Sequence, residues 1–473
     1  MTTTSTSTST GALMSVLVPA VLVTVIASDM VTLTLPSIGD RFGASEAATA
    51  WVVTGFLLMF AVGIPFYGRL ADGWSVRTLM SVALALYVAG AVASAAAPSL
   101  LALVAGRVLT GVGAAGIPVL AMIAVARFVP ADRRGAGIGL VSAAAGVGTA
   151  AGPALGGLVG DALGWRSLFW IVAGVGTLLL LWALRAIPRE TAGAAEPFDV
   201  ASGILLGIGA GLLLLTVTQL QATGADSPVP WTCLVAGGLA LAGFAVRNSR
   251  ASHPFVPWTL FTSGALTPAV VVAFLAMATN LGVLVCVPLL LIEVAGLTPT
   301  QGALAMIPAG VVVAVASPLS GRVADRVGAR RPIVTGLVLM AAGTAGLAGI
   351  AGTGDPVLIA VATVVAALGF ILVMTPLITA TAASLPPEHV GIGLGLLQGA
   401  QFLGAGAGPA ILTAVLVATR DRGGLAPWSD DTSAGYPEAF VVMSVVALVT
   451  LTAASRIGRT SAAASHPAPS RKP

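Results

Sequence analysis

Gly68-Arg69-Leu70-Ala71-Asp72 returns 253 residues later as Gly321-Arg322-Val323-Ala324-Asp325. Two further stretches repeat in the same order. Gly137-Ile138-Gly139-Leu140 reappears as Gly391-Ile392-Gly393-Leu394, and Gly152-Pro153 as Gly408-Pro409, at offsets of 254 and 256. Three short matches at nearly one spacing are hard to obtain by chance, so the chain reads as two copies of one unit with extra material between them.

Working outward from these stretches, almost everything is apolar. Of 473 residues, 57% are hydrophobic and only 8% charged, whereas a soluble domain carries about 25% charged residues. So few charges cannot cover a water-facing surface, which excludes a large soluble protein. The 58 glycines suit helices that approach closely in lipid. A membrane span needs about twenty mostly apolar residues. That rule predicts fourteen helices, at 12–36, 48–66, 79–97, 99–126, 136–160, 167–187, 200–221, 230–247, 265–292, 302–320, 333–352, 355–378, 390–418 and 437–455. The expected organisation is a tail at 1–11, a six-helix half at 12–190, two inserted helices within 199–248, a second six-helix half at 262–456, and a tail at 457–473. The fold class is therefore an all-α membrane protein.

Basic residues orient it, because positive loops stay cytoplasmic. The loops after even-numbered helices and the C-terminal tail hold 17 Arg and Lys (Arg69, Arg77, Arg127, Arg133, Arg134, Arg185, Arg189, Arg247, Arg250, Arg322, Arg326, Arg330, Arg331, Arg456, Arg459, Arg471, Lys472), against four (Arg41, Arg166, Arg420, Arg422) on the other side. Both termini are thus expected in the cytoplasm. The N-terminal stretch before Gly11 lacks the positive charge of a cleavable signal, so the first apolar run is expected to remain a span. The net charge of +4 reads as loop charge facing anionic lipid and not as a nucleic-acid footprint. Cys233 and Cys286 lie in apolar runs and read as small buried hydrophobes. Near-exclusive use of Arg over Lys suggests a bacterial source.

Four groups carry chemistry. In the loop after helix two, Gly68, Arg69, Asp72 and Arg77 can form a conformational latch. The Asp accepts hydrogen bonds from a neighbouring helix N-terminus, where the dipole favours negative charge, and a nearby Arg pairs with it. Gly321, Asp325, Arg326 and Arg330 are the second copy; the bland alternative for either is a solvated positive loop. Arg107 stands alone in helix four, about eight residues or roughly 12 Å from the outer end at 1.5 Å per residue. Charges at that depth are costly and usually face a cavity or partner; the alternative is snorkelling to the interface. Asp29 in helix one is the acidic residue well inside a run in the N-terminal half. Buried carboxylates can exchange protons near neutral pH, so Asp29 is a candidate proton or cation carrier, unless it is merely hydrated from the outer side. In helix five, Gly148, Gly152, Gly156 and Gly157 give a flat packing face, and Pro153 bends the helix. Trp51, Phe56, Asn280, Gln398 and Gln401 are candidates to line a mostly apolar pocket, with interhelical hydrogen bonds as the alternative for the polar ones.

Together, the stretches Gly68–Arg77, Arg107–Ala115 and Gly148–Gly157 resemble the fourteen-helix drug/proton antiporters of the major facilitator superfamily. The stretches Asp29–Pro36, Trp51–Phe56, Arg127–Pro130, Pro197–Asp199 and His253–Val256 look most like the Gram-positive tetracycline/proton antiporters within that group. The resemblance covers nearly the whole chain. It implies two six-helix halves plus two inserted helices, proton-coupled efflux of a hydrophobic drug or antibiotic, the proton gradient in place of any cofactor, a cell-membrane location and a monomer. It also implies coupling roles for Asp29 and Arg107, a latch at Asp72 and an antiporter motif around Pro153. Departures are present: Ser75 and Val76 replace a Gly and a basic residue, Thr110 replaces Gln, and Ala405 stands where tetracycline exporters carry an acid. They leave the drug and the proton stoichiometry open, with Asp29 as the main membrane carboxylate.

Other functions fit the sequence less well. There is no Gly-rich phosphate loop with Lys-Ser/Thr, so transport would be secondary. His253, His389 and His466 sit in loops or the tail and form no metal-binding or catalytic cluster, which argues against an enzyme. A dedicated exporter of a self-made metabolite remains open, as does a channel or receptor without proton coupling.

Overall fold

The computed structural model describes residues 10–190, 197–224, 226–262, 266–420 and 435–454. Arg422, Arg456, Arg459, Arg471, Lys472 and His466, residues 1–9 of the N-terminal tail and the 457–473 tail lie outside the described residues. Seventeen α-helices are described, with no strand among the described residues: α1 (Thr10–Asp29), α2 (Leu35–Phe42), α3 (Glu46–Gly73), α4 (Val76–Ala95), α5 (Leu100–Phe128), α6 (Arg134–Leu163), α7 (Trp165–Ala186), α8 (Val200–Thr223), α9 (Pro228–Arg250), α10 (Thr259–Thr262), α11 (Leu266–Glu293), α12 (Pro299–Ala305), α13 (Ile307–Val327), α14 (Arg330–Ile350), α15 (Pro356–Ser384), α16 (Val390–Arg420) and α17 (Tyr436–Ala454). Helix is forced on such a chain, because lipid offers no partner for backbone N–H and C=O groups. Thirteen helical spans are long and apolar enough to cross a membrane, with α1 and α2 counted as one. Among the described residues the count rises to fourteen if the bent helix α6 is taken as one span. Both cysteines are free thiols.

The described residues form two compact units. One comprises the described part of Met1–Phe255 together with Pro387–Gly399; the other comprises the described parts of Val256–Pro386 and Ala400–Pro473. In the first unit α5 is the most deeply buried span. Its glycines let neighbours in: a methyl group at Gly106 would stand 2.6 Å from the Ser94 hydroxyl, and one at Gly111 would stand 2.5 Å from the Phe56 carbonyl oxygen. Small residues rather than hydrophobic burial drive such contacts in lipid. In the second unit α14 and α15 cross at Gly336 and Gly369 by the same device. Tyr436, Phe440 and Met443 of α17 are completely buried with Leu290, Leu291 and Leu412.

Three local features differ from the sequence expectation. The first span is not one helix over 12–36. Helix α1 ends at Asp29, a 3-10 turn covers Thr32–Thr34, and α2 restarts at Leu35. Pro36, in the first turn of α2, lacks an N–H and its ring would clash with the carbonyl four residues back, which disfavours a continuous helix here and suits Pro36 to the start of a new one. The Gly68–Asp72 stretch is not a loop but the last turns of α3, and Gly321–Asp325 is likewise inside α13. Counting apolar residues stops too early here. A helix continues into the polar zone while its own carbonyls remain paired, and the Trp74 N–H still bonds the Leu70 carbonyl at 2.9 Å.

Candidate functional site

The first unit holds a polar cluster at membrane depth, assembled from α1, α3, α4, α5 and α7. Arg107 is its centre, 1% exposed. Its Nε donates to the Val52 carbonyl at 3.1 Å, and its guanidinium lies 4.2 Å from the Phe56 ring centroid and 5.9 Å from that of Phe169. A planar cation over aromatic faces is worth about 2 kcal/mol when water is excluded. Among the described residues its Nη2 nevertheless has no acceptor. Asp29 and Tyr87 are within electrostatic reach of Arg107. The Tyr87 hydroxyl donates to the Val23 carbonyl at 3.4 Å, and Thr24 beside it is buried. Asp29 is half-buried at the end of α1 and accepts a hydrogen bond from Ser28.

The glycines of α6 lie on this same end of α1. A methyl group at Gly148 would stand 2.8 Å from Val25, one at Gly152 would stand 2.9 Å from the Asp29 Cβ, and one at Gly156 would overlap the Met30 carbonyl. Gly157 faces Leu33 more loosely, at 3.4 Å. The helix bends by 43° between Thr149 and Ala151, where the ring of Pro153 meets the carbonyl four residues earlier. Two groups chosen separately in the sequence, Asp29 and the glycine motif, are therefore one packed contact. In the second unit Gly404 and Gly408 of α16 meet the Phe274 and Ala278 carbonyls of α11 in the same manner, without a carboxylate at the crossing.

The second cluster surrounds Asp72, which is nearly buried at 5% side-chain exposure. Its two oxygens accept from the backbone N–H of Gly391 at 2.7 Å and Ile392 at 3.0 Å, the first turn of α16, where the helix dipole favours a negative charge. Gly68 permits the approach, since a methyl group there would stand 2.6 Å from the Gly391 carbonyl. Arg69 comes within 3.8 Å of Asp72 and Arg127 within 4.0 Å. Arg127 also donates to the Ala71 carbonyl at 2.7 Å and approaches Glu190 at 3.8 Å. Glu190 in turn accepts from the Val76 N–H at 3.2 Å, at the start of α4. Arg77, expected beside Asp72, instead donates to the Leu184 carbonyl at the end of α7. Arg127 takes the place foreseen for it. In the second copy Gly321 is buried, Asp325 half-buried, and Arg326 and Arg330 exposed.

The candidate pocket residues divide. Trp51 is exposed and Phe56 is completely buried; the Phe56 face is occupied by Arg107, so it packs rather than lines. Gln398, half-buried, belongs to the first unit, while Asn280 and Gln401, both half-buried, belong to the second. Gln401 Nε2 is buried without an acceptor among the described residues. The first unit also carries an open groove of about 650 Å³ whose lining includes Phe198, Asp199, Arg247, Arg250 and His253. Hydrogen bonds from Arg247 and then Ser202 hold the Asp199 carboxyl below the usual carboxylate range. Sequence reading missed Tyr87, Phe169 and Glu190. Tyr87 and Phe169 sit in ordinary apolar runs, and the sequence carries no signal that Arg107 meets them.

The sequence profile described as the Major Facilitator Superfamily matches residues 17–409. The chain is 30% identical over 390 residues to the "Multidrug resistance protein Stp" of Mycobacterium tuberculosis (strain CDC 1551 / Oshkosh), covering 82% of this chain and 72% of that one. It is 30% identical over 394 residues to the "Tetracenomycin C resistance and export protein" of Streptomyces glaucescens, covering 83% and 73%. Among solved structures, the human organic anion transporter MFSD10 (TETRAN) superposes with a TM-score of 0.68 at 16% identity, over 94% of this chain and 99% of that one. The proton:xylose symporter XylE superposes with a TM-score of 0.64 at 14% identity, over 93% and 94%. Those two likenesses concern the fold.

Proposed function

Because the chain belongs to the major facilitator superfamily, a family of membrane transporters and not of enzymes, we propose that it exports a hydrophobic small molecule in exchange for protons. The observation that carries this reading is Arg107, a fully buried cation with one nitrogen lacking an acceptor, set within electrostatic reach of the half-buried Asp29. Buried polar atoms are almost always paired, so an unpaired guanidinium nitrogen marks a place where another acceptor can arrive. When Asp29 is ionised it balances Arg107. When Asp29 takes a proton, that balance is lost, and conformations that offer Arg107 another acceptor gain. Coupling of this kind needs only a difference in proton affinity between two conformations. The glycine face of α6 transmits the change, because it packs directly on Asp29 and Met30.

The cargo we favour is a drug or antibiotic, in keeping with relatives named for multidrug and tetracenomycin C resistance. The protein would work as a monomer in the cell membrane, with both termini in the cytoplasm and the proton gradient as its energy source. The relative from Streptomyces glaucescens, named for resistance and export together, favours one further reading, a dedicated exporter of a single self-made compound.

Inverted membrane vesicles test this directly. With a preformed acid interior and a pH-sensitive dye, addition of a transported drug releases protons, and Asp29→Asn abolishes the release. Flux that persists unchanged in Asp29→Asn, or that ignores an uncoupler, overturns proton coupling. A response to one compound in a wide panel selects the dedicated exporter over the multidrug protein.

A further inference from the structure

We propose that the inserted helix pair α8–α9 positions the latch: Phe198, at its entry, holds Arg69 in place and thereby steadies the Asp72 contact with the first turn of α16. The proposal takes Asp72 as a conformational latch, in line with the function proposed above.

Arg69 is buried, yet its Nε has no acceptor among the described residues, and its approach to Asp72, at 3.8 Å, is longer than a hydrogen bond. What lies against the guanidinium is the Phe198 ring, with its centroid 5.6 Å away. A ring face attracts a cation more strongly once water is excluded. Phe198 belongs to neither six-helix repeat. It lies in the segment that leads into α8, and that segment is fixed from several sides. The Phe198 ring meets Phe255 at 5.7 Å, and Phe255, fully buried, meets Phe66 at 5.2 Å. Phe66 stands three residues before Arg69 on α3, on the same helical face. Next in the chain, the Asp199 N–H donates to the His253 carbonyl at 2.9 Å. Its carboxylate accepts from Arg247 at 2.7 and 3.0 Å and from Ser202 at 2.7 Å. These bonds close the entry and the exit of the inserted pair on each other.

The pair is also seated in register. Gly203, Gly207 and Gly211 of α8 recur every four residues and face Phe66, Val62 and Leu58 of α3, which recur every four residues in turn. A methyl group at Gly203 would stand 2.8 Å from Phe66 and 2.7 Å from Phe255, and one at Gly207 would stand 2.6 Å from Val62. Such a fit sets α8 at one height along α3 and so sets Phe198 opposite Arg69. Without the ring, the Arg69 guanidinium has no aromatic face and its Nε no acceptor among the described residues. It then leaves Asp72, and the carboxylate loses one of the two cations that balance it opposite the Gly391 and Ile392 N–H groups.

The test is hydrogen exchange of the full chain in lipid nanodiscs, read at the Gly391 and Ile392 amides, because the exchange rate of a hydrogen-bonded amide reports how often its bond opens. Asp72→Asn sets the scale for an open latch. Phe198→Leu keeps an apolar side chain but removes the ring. It is expected to raise exchange at these two amides about five- to thirtyfold and to add nothing further in an Arg69→Gln background. Phe198→Tyr, which keeps the ring, is expected to match the wild type. Exchange in Phe198→Leu equal to the wild type, or a rise that is the same with and without Arg69, overturns the proposal and leaves Phe198 as packing. Should the Leu variant not insert, Arg69→Gln alone is expected to give the same rise, and unchanged exchange there is equally fatal. This readout needs neither substrate nor proton gradient. A latch that responds as expected in a protein that moves no protons would sink the transport reading and spare this one; the converse result would do the reverse.

Discussion

Arg107 is the residue whose chemistry is least replaceable. Its Nε bond to the Val52 carbonyl and its stack on Phe56 both use the flat, forked shape of a guanidinium. Lysine keeps the charge but is a compact ammonium without a planar face. Losing a desolvated cation–π contact of about 2 kcal/mol corresponds to on the order of thirtyfold in an equilibrium. Arg107→Lys is therefore expected to insert and fold, yet to lower drug-driven proton release in vesicles at least tenfold. Release within twofold of the wild type would mean that only the charge matters. The position itself was legible, since a single Arg in an apolar run of this length announces itself. Its partners were not. Val52, Phe56, Tyr87 and Phe169 are ordinary apolar-run residues, and nothing in their spacing shows that one guanidinium draws them together.

Helices in this protein are fitted by glycine, and the sequence discloses that only in part. The four-residue spacing of Gly148, Gly152 and Gly156 marks a packing face, but which helix it meets depends on a fold that the spacing does not contain. The partner is the end of α1, including Asp29 and Met30. Gly156→Ala would drive its methyl group into the Met30 carbonyl, where backbone cannot yield as a side-chain tip can. Gly174 on α7 has open space where its methyl group would go, and there the helix gains from alanine, whose propensity exceeds that of glycine by about 1 kcal/mol. Melting of the purified protein in detergent should fall for Gly156→Ala and hold or rise for Gly174→Ala; equal behaviour of the two would remove the tight α1–α6 contact from the account. Helix ends were the other hidden feature. The apolar count stops near residue 66, but α3 runs to Gly73 and so carries Asp72 to a helix N-terminus 319 residues away in sequence. Likewise Glu190 bonds the Val76 N–H across 114 residues. Contacts of that range leave no periodic trace.

For the molecule as a whole, the sequence feature with the widest consequence is the uneven placement of arginine. Within the first unit, the helix ends and loops expected on the cytoplasmic side contain nine (Arg69, Arg77, Arg127, Arg133, Arg134, Arg185, Arg189, Arg247 and Arg250), against Arg41 and Arg166 on the other. Each basic residue near an anionic leaflet is worth about 1 kcal/mol, so the imbalance far exceeds thermal energy and should select one orientation. Orientation matters for function because it decides which compartment the Asp29 end of α1 faces and which the Asp72 latch faces; the proton gradient sets the direction of exchange in either case. Two exposed acids mark the two faces. Asp132, with 73% of its side chain exposed, follows α5, and Asp40, also exposed, lies in α2. With Cys233 and Cys286 replaced by serine, Asp132→Cys and Asp40→Cys can each be offered a membrane-impermeant maleimide. In right-side-out vesicles only the Asp40→Cys protein should be labelled, and in inverted vesicles only Asp132→Cys. The opposite pattern would place the arginine-rich loops outside and overturn the orientation expected from the basic residues. Labelling of both positions from one side would instead mean that the helix count between them is wrong. The region from α2 to the start of α6 contains α3, α4 and α5, an odd number of crossings, so its two ends must face opposite compartments if each of these helices spans the membrane.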